Sequence, residues 1–293
     1  MVRKTWKEHY QFTSNYLMLG SNKLHYIDEG EGHPIIMLHG NPTWSFYYRN
    51  IVNDLKNNYR CIVPDHIGCG LSSKPQDYEY TLENHIENVL ELIKKLNIDK
   101  FSLIVHDWGG AIGMGVATKL KDKVTSVTLL NTAAFRSIDI PFRIAICKIP
   151  FLGERLVRTF NAFAFPATFM AVKKKLPREI KEGYLYPYNN YQNRIATAKF
   201  VDDIPLKKEH RSYQTLKNIE ENLPSVQCPK LFLWGEKDFC FNDKFLSKWK
   251  TFYPNSKYIT YKNAGHYVLE DEKQNCITEI RDFLKGACHE YSL

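Results

Sequence analysis

The sequence predicts an α/β fold: a mostly parallel central sheet, helices on both of its faces, and a helical insertion late in the chain. Three observations predict it. Over the first 134 residues, short apolar runs alternate with helix-like stretches, the pattern of strands joined by crossover helices. The alternation stops from about 135 to 225, where the chain becomes helical in flavour, aromatic and basic, and then resumes. The run V-H-D-W-G-G at 105–110 places Asp107 where an apolar strand turns sharply into a helix, and ligands of parallel sheets gather at such strand ends.

The elements follow in order. K-L-H-Y-I-D-E-G (23–30) alternates like a strand, and P-I-I-M-L-H-G (34–40) is a short apolar run closed by glycine, as a strand buried on both faces should be. A helix is expected from about Trp44 to Leu55, then a strand at 59–65. T-L-E-N-H-I-E-N-V-L-E-L-I-K-K-L (81–96) is an amphipathic helix with Thr81 as N-cap and Ile86, Val89, Leu90, Ile93 and Leu96 as its apolar series. Strand 101–107, helix 108–120 and strand 124–131 complete the first part. After the insertion come strand 229–235, helix 242–252, strand 257–262 and helix 270–286. The expected organisation is a core of residues 1–134 and 226–293 with a helical cap at 135–225.

Composition narrows the class. A chain of 293 residues with 44% hydrophobic and 25% charged residues can build one sizeable core. No apolar run is long enough to span a membrane. The start, M-V-R-K-T-W-K-E-H-Y-Q-F, has no apolar segment of the signal-peptide kind. Seven cysteines without a C-x-x-C pair suggest reduced thiols and a cytoplasmic protein, with no metal site. The net charge of +8 is concentrated in the insertion: Arg136 to Leu223 holds sixteen Lys/Arg against nine Asp/Glu. No nucleic-acid-binding pattern accompanies it, so the expected reading is a solvated surface or weak peripheral contact with a membrane or an acidic protein.

The strand ends carry polar residues: His39, Asn41, Asp65, Asp107, Trp108, Asn131, Asp238 and His266. Asp107 occupies the position of a nucleophile at a tight elbow, and Gly109 and Gly110 allow the next helix to approach closely. His266, in N-A-G-H-Y after the last strand, is the expected base. Asp238, just after strand 229–235, is the expected acid that orients it. Glu236 is a rival that leaves the strand too early, and Asn131, after the preceding strand, cannot carry the charge. Asn41 and the indole of Trp108 are expected to donate to an anion developing beside Asp107, joined by the backbone N–H of Trp108.

These residues resemble the α/β-hydrolase superfamily, and within it the haloalkane-dehalogenase branch. The resemblance is carried by HGNPT (39–43), DHIGCGLSSKP (65–75), VHDWGG (105–110), GEKDF (235–239) and NAGHYVLED (263–271). HGNPTWSFYYR (39–49), LNTAAFRS (130–137) and IPFRIAICKIP (140–150) are more closely similar to the olefin β-lactone decarboxylases. That likeness implies a substrate with two long alkyl chains, a cis-alkene and carbon dioxide as products, an assembly with the synthetase that makes the lactone, and no cofactor.

Three reactions fit. All use an ionised Asp107, which needs no base to attack an sp³ carbon or a carbonyl. They are lactone decarboxylation, carbon–halogen hydrolysis and epoxide opening. The last needs two cap tyrosines, for which Tyr184, Tyr186, Tyr188 and Tyr191 are candidates. The apolar segment 161–172 favours a channel for alkyl chains, since each buried methylene contributes about 0.8 kcal/mol.

Overall fold

The computed structural model describes residues 5–289, with side chains through Ala287. Eight strands form one sheet: β1 (Ser14–Leu19), β2 (Asn22–Glu29), β3 (Pro34–Leu38), β4 (Arg60–Pro64), β5 (Phe101–Asp107), β6 (Val124–Thr132), β7 (Lys230–Gly235) and β8 (Lys257–Tyr261). Their spatial order is β1-β2-β4-β3-β5-β6-β7-β8. β2 is antiparallel to β1 and β4, and every pairing from β4 across to β8 is parallel.

That order sets the site. From β3 the chain crosses to β4 on one side, then returns to place β5 on the other side of β3. The connections after β3 and β5 therefore diverge, and their carboxyl ends frame the crevice that such a topological switch opens.

Helices cover both faces. They are α1 (Arg49–Leu55), α2 (Leu82–Lys95) and α3 (Trp108–Lys119) before β6, and α4 (Phe142–Cys147), α5 (Leu152–Phe160), α6 (Ala164–Met170), α7 (Arg178–Leu185), α8 (Ile195–Asp202) and α9 (Tyr213–Asn222) between β6 and β7. α10 (Asp243–Phe252) follows β7, and α11 (Val268–Asp271) and α12 (Lys273–His289) follow β8. Alternate residues of the central strands enter different cores: Leu103, Val105, Phe232 and Trp234 pack with the α2–α3 side, and Ile104, Leu130, Leu231 and Leu233 with the α1–α12 side. This is the pleat of a sheet buried on both faces.

Thr81 caps α2 as its sequence suggests, accepting the N–H of Asn84. Among the described residues no strand falls between Thr132 and Lys230. Of the helices there, α9 contributes Leu216 and Ile219 to the core beside α3. α8 adds Ile195, Ala196 and Phe200 to the same core, and α7 adds Ile180 and Tyr184 to the core on the other face. Polar contacts reinforce this packing: the Trp44 indole donates to the Gly183 carbonyl at 3.1 Å, and the Tyr184 hydroxyl donates to Glu270, whose carboxylate is also bound by Arg49.

Two elements differ from expectation. β1 is an added edge strand whose residues are never fully buried, so its apolar alternation is too weak to read. The helix expected at 270–286 is two helices that part at Glu272, whose φ of −124° and ψ of 38° leave the helical range. Cys61, Cys69, Cys147, Cys228, Cys240 and Cys276 are free thiols, and the side chain of Cys288 lies outside the described residues. No described helix is long and apolar enough to cross a membrane.

Candidate active site

Asp107 is the last residue of β5 and the N-cap of α3, held at φ 51° and ψ −126°. Side chains rarely adopt positive φ, and such backbone survives only where its neighbours fix it. Here the neighbours are glycines. A Cβ on Gly109 would strike the Leu38 carbonyl, one on Gly110 the Thr132 hydroxyl, and one on Gly40 the Asp107 carboxylate itself. The Thr132 hydroxyl also donates to the Asp107 carbonyl, which closes the corner from β6.

The carboxylate is held from two sides. Oδ1 accepts the backbone N–H of Asn41 at 2.6 Å, and the backbone N–H of Trp108 also donates to the carboxylate. Oδ2 lies 3.6 Å from Nε2 of His266. Burial raises the proton affinity of Asp107 above the ordinary carboxylate value, and His266 with the two backbone N–H groups opposes that rise.

His266 Nδ1 meets Asp238 Oδ2 at 2.8 Å. Burial disfavours its charged form, but Asp238, and then Asp107, outweigh burial and hold its pKa above the ordinary 6.5. The other Asp238 oxygen accepts the N–H of Cys240 at 2.6 Å. Glu236 is exposed and has no part in this. Asn131 clasps Gly235, donating to its carbonyl at 3.1 Å and accepting its N–H at 2.8 Å. It ties β6 to β7 at the strand ends.

Sequence reading missed the groups that position His266. His106 binds the His266 carbonyl at 2.9 Å and stacks on Tyr47 with centroids 4.4 Å apart. Asp271 accepts the N–H of Gly265 at 2.8 Å and also those of Lys173 and Lys174, so one carboxylate joins the histidine loop to the end of α6. V-H-D and V-L-E-D carry both residues, but nothing local distinguishes them from ordinary core and helix-start positions.

Asn41 departs in part from expectation. Its side-chain amide donates to the Thr197 carbonyl of α8 at 3.1 Å, while its Oδ1 is buried without a partner. The donor that reaches Asp107 is its backbone N–H.

Two apolar chambers meet at this point, both walled by Asn41, Asp107, Ile144, Phe163 and Cys240. The first, about 140 Å³, runs past Trp108, Ala133, Val201, Leu216 and Phe245. The second, about 300 Å³, runs past His266, Tyr267, Leu156, Ala167 and Met170 beneath α4 to α6. The segment 161–172 thus lines the second chamber through Ala162, Phe163, Pro166, Ala167, Met170 and Ala171, and reaches the first through Phe163. None of the four cap tyrosines lines either chamber. Tyr184 donates to Glu270 and Tyr188 to the Thr43 carbonyl, while Tyr186 and Tyr191 are exposed. The paired oxygen donors that epoxide opening needs are therefore missing from the chamber walls among the described residues. Nor does any group of three or more His, Cys, Asp or Glu form a metal site among them.

The arrangement offers a buried carboxylate, two backbone N–H donors to it, and a histidine–aspartate pair beside its Oδ2. Residues 33–273 match the family described as alpha/beta hydrolase fold. The chain belongs to this family. This α/β-hydrolase is 46% identical to the cis-3-alkyl-4-alkyloxetan-2-one decarboxylase of Shewanella oneidensis, over 93% of this chain and 88% of the relative. It is 30% identical to haloalkane dehalogenase 2 of Mycobacterium bovis, over 89% of this chain and 91% of that one. The crystal structure of haloalkane dehalogenase DbeA from Bradyrhizobium elkani superposes with a TM-score of 0.88 at 22% identity, covering 95% of this chain and 99% of that one. That likeness speaks for the fold.

Proposed function

We propose that this enzyme decarboxylates a β-lactone bearing two alkyl chains to an alkene and carbon dioxide, as a step of olefin formation. The observation that carries the reading is the pair of apolar chambers diverging from one nucleophile. A lactone ring against Asp107 would send one chain into each. Burial at about 0.8 kcal/mol per methylene would hold the ring for attack. The decarboxylase relative supports the same class.

Asp107 attacks either the ring carbon that bears oxygen, giving an ester and a free carboxylate, or the carbonyl, giving an anhydride and an alkoxide. Either way the substrate is held covalently. From the ester, loss of carbon dioxide turns the electron pair of the carbon–carboxyl bond into the double bond as the carbon–oxygen bond to Asp107 breaks, which returns its carboxylate. From the anhydride, the alkoxide first attacks the Asp107 acyl carbon, which releases the substrate carboxylate and gives that same ester. The net reaction consumes no water. Asn41 and Trp108 stabilise the oxygen that gains charge, and neutral His266, held by Asp238, takes up any proton that this oxygen acquires and passes it to solvent, so that the substrate carboxylate stays ionised for loss of carbon dioxide.

Carbon–halogen hydrolysis is the second reading, favoured by Trp108 and Asn41 in the chamber wall beside Asp107 and by the dehalogenase relative. There His266 would activate water against the ester. Purified protein should be given a long-chain cis-β-lactone and, in parallel, dibromoethane. Alkene by gas chromatography with little halide release is expected. Fast halide release without alkene would overturn the decarboxylase reading.

The acid is tested separately. Asp238→Asn leaves imidazolium without its counter-charge and should lower kcat by about 10³- to 10⁴-fold, whereas Glu236→Gln should change it less than about twofold. Because His266 works when neutral and its pKa is held above 6.5, wild-type activity should climb as pH rises through that raised value. In Asp238→Asn the residual activity should begin its climb at lower pH. An unmoved acid limb, or a large loss in Glu236→Gln, would reassign the acid.

A further inference from the structure

The stretch from Ile138 through α4, α5 and α6 carries apolar residues that no described residue covers. Ile138, Phe142, Phe151, Phe160, Phe165 and Phe169 are all exposed, Phe151 to 94% and Phe142 to 79%. Phe165 and Phe169, one turn apart on α6, meet edge to face at 5.8 Å. α6 is apolar on both sides, since Pro166, Ala167 and Met170 face the second chamber. Helices of that kind are normally covered on both faces, and exposed apolar patches of this sort mark interaction sites.

Charge indicates what covers this one. Arg136 to Lys175 contains eight Lys/Arg and two Asp/Glu. Both acids are already engaged: Glu154 pairs with Arg158 and Lys199, and Asp139 with Lys244. Arg143 and Arg155 are exposed and meet no carboxylate among the described residues. Arg143 reaches only the Met170 sulfur, at 3.0 Å. Exposed Lys173 and Lys175 close the same segment, and their ammonium groups pair with no carboxylate among the described residues. A second copy of the chain would bring these like charges together, which disfavours self-association through this face.

We propose that this face docks on a bilayer containing anionic phospholipid. Aromatic rings entering the headgroup boundary, beside unpaired cations facing acidic headgroups, are the two ingredients of reversible interfacial binding. The face also backs the site. Arg143, Ile146 and Cys147 of α4 and Met170 of α6 line the second chamber, so a water-insoluble ligand would pass from bilayer to chamber without crossing bulk water. That last consequence rests on the two-chain lactone reading, whereas the docking itself does not.

The test is flotation of the full chain with vesicles of phosphatidylcholine mixed with phosphatidylglycerol, and with phosphatidylcholine alone. Binding to the mixed vesicles is expected, weakened by salt and at least about tenfold stronger than to the neutral ones. Phe142→Ser, Phe151→Ser and Phe160→Ser combined should reduce it by about tenfold or more, with an unchanged circular-dichroism melt because all three side chains are exposed. Arg143→Gln with Arg155→Gln, a second variant independent of the first, should lose the preference for the mixed vesicles. Absence of flotation, equal flotation on both vesicle types, or undiminished binding by both variants would overturn the proposal. So would a wild-type dimer that the Phe variant converts to monomer, or saturation of the face by an acidic protein without affinity for vesicles. Alkene release from detergent-dispersed lactone is scored in the same preparations, so failure of docking and failure of the decarboxylase reading are distinguished.

Discussion

Asp107→Asn is expected to abolish turnover, with kcat falling by at least about 10⁴-fold. The carboxamide keeps the size of the side chain and an oxygen that can still accept the N–H groups of Asn41 and Trp108. The strained corner at φ 51° and the glycines around it are untouched. What is lost is the anionic oxygen that forms the covalent bond. An amide is too weak a nucleophile for an sp³ carbon or a lactone carbonyl. The melting temperature should stay near that of the wild type. Turnover at the wild-type rate, in protein shown by mass spectrometry to be free of deamidation, would remove Asp107 from the mechanism. The loss should be the same with lactone or haloalkane, so this variant tests the nucleophile and leaves the substrate to the parallel assay.

His266→Ala should slow turnover by about 10²- to 10⁴-fold and should make the intermediate visible. The ring lies 3.6 Å from Asp107 Oδ2, close enough to act on whatever that oxygen carries, yet an ionised carboxylate needs no base to begin. Attack should therefore survive, and breakdown should fail. Intact-mass spectrometry after mixing with substrate should find an adduct, and peptide mapping should place it on the segment containing Asp107. Complete loss of turnover with no adduct would mean that His266 acts before attack. The cavity left by the ring lies beneath Phe241, which stacks on it at 5.7 Å, so stability should be measured alongside activity.

Much of this was legible in the sequence, for a local reason. Apolar runs at 34–38, 101–107, 124–131 and 230–235 announce strands because sheets buried on both faces require them, and the structure has β3, β5, β6 and β7 there. V-H-D-W-G-G marks its corner because only glycine fits where α3 crosses β3 and β6. β1 escaped because a half-exposed edge strand imposes no strong pattern.

Sequence by itself determined the fold class, the corner at Asp107 and the strand ends that carry polar residues, since side-chain period and steric demand act over a few neighbours. Tertiary structure alone decided what meets there. Asn41 contributes a backbone N–H to an oxygen 66 residues away while its amide is engaged 156 residues away. Asp238, rather than the exposed Glu236, turns toward His266. Asp271, at the end of α11, holds the histidine loop, and two chambers open where one apolar segment suggested one channel. Such contacts depend on how β3, β5 and the cap close over one another. Closure over long separations leaves no periodic trace in the residues it joins.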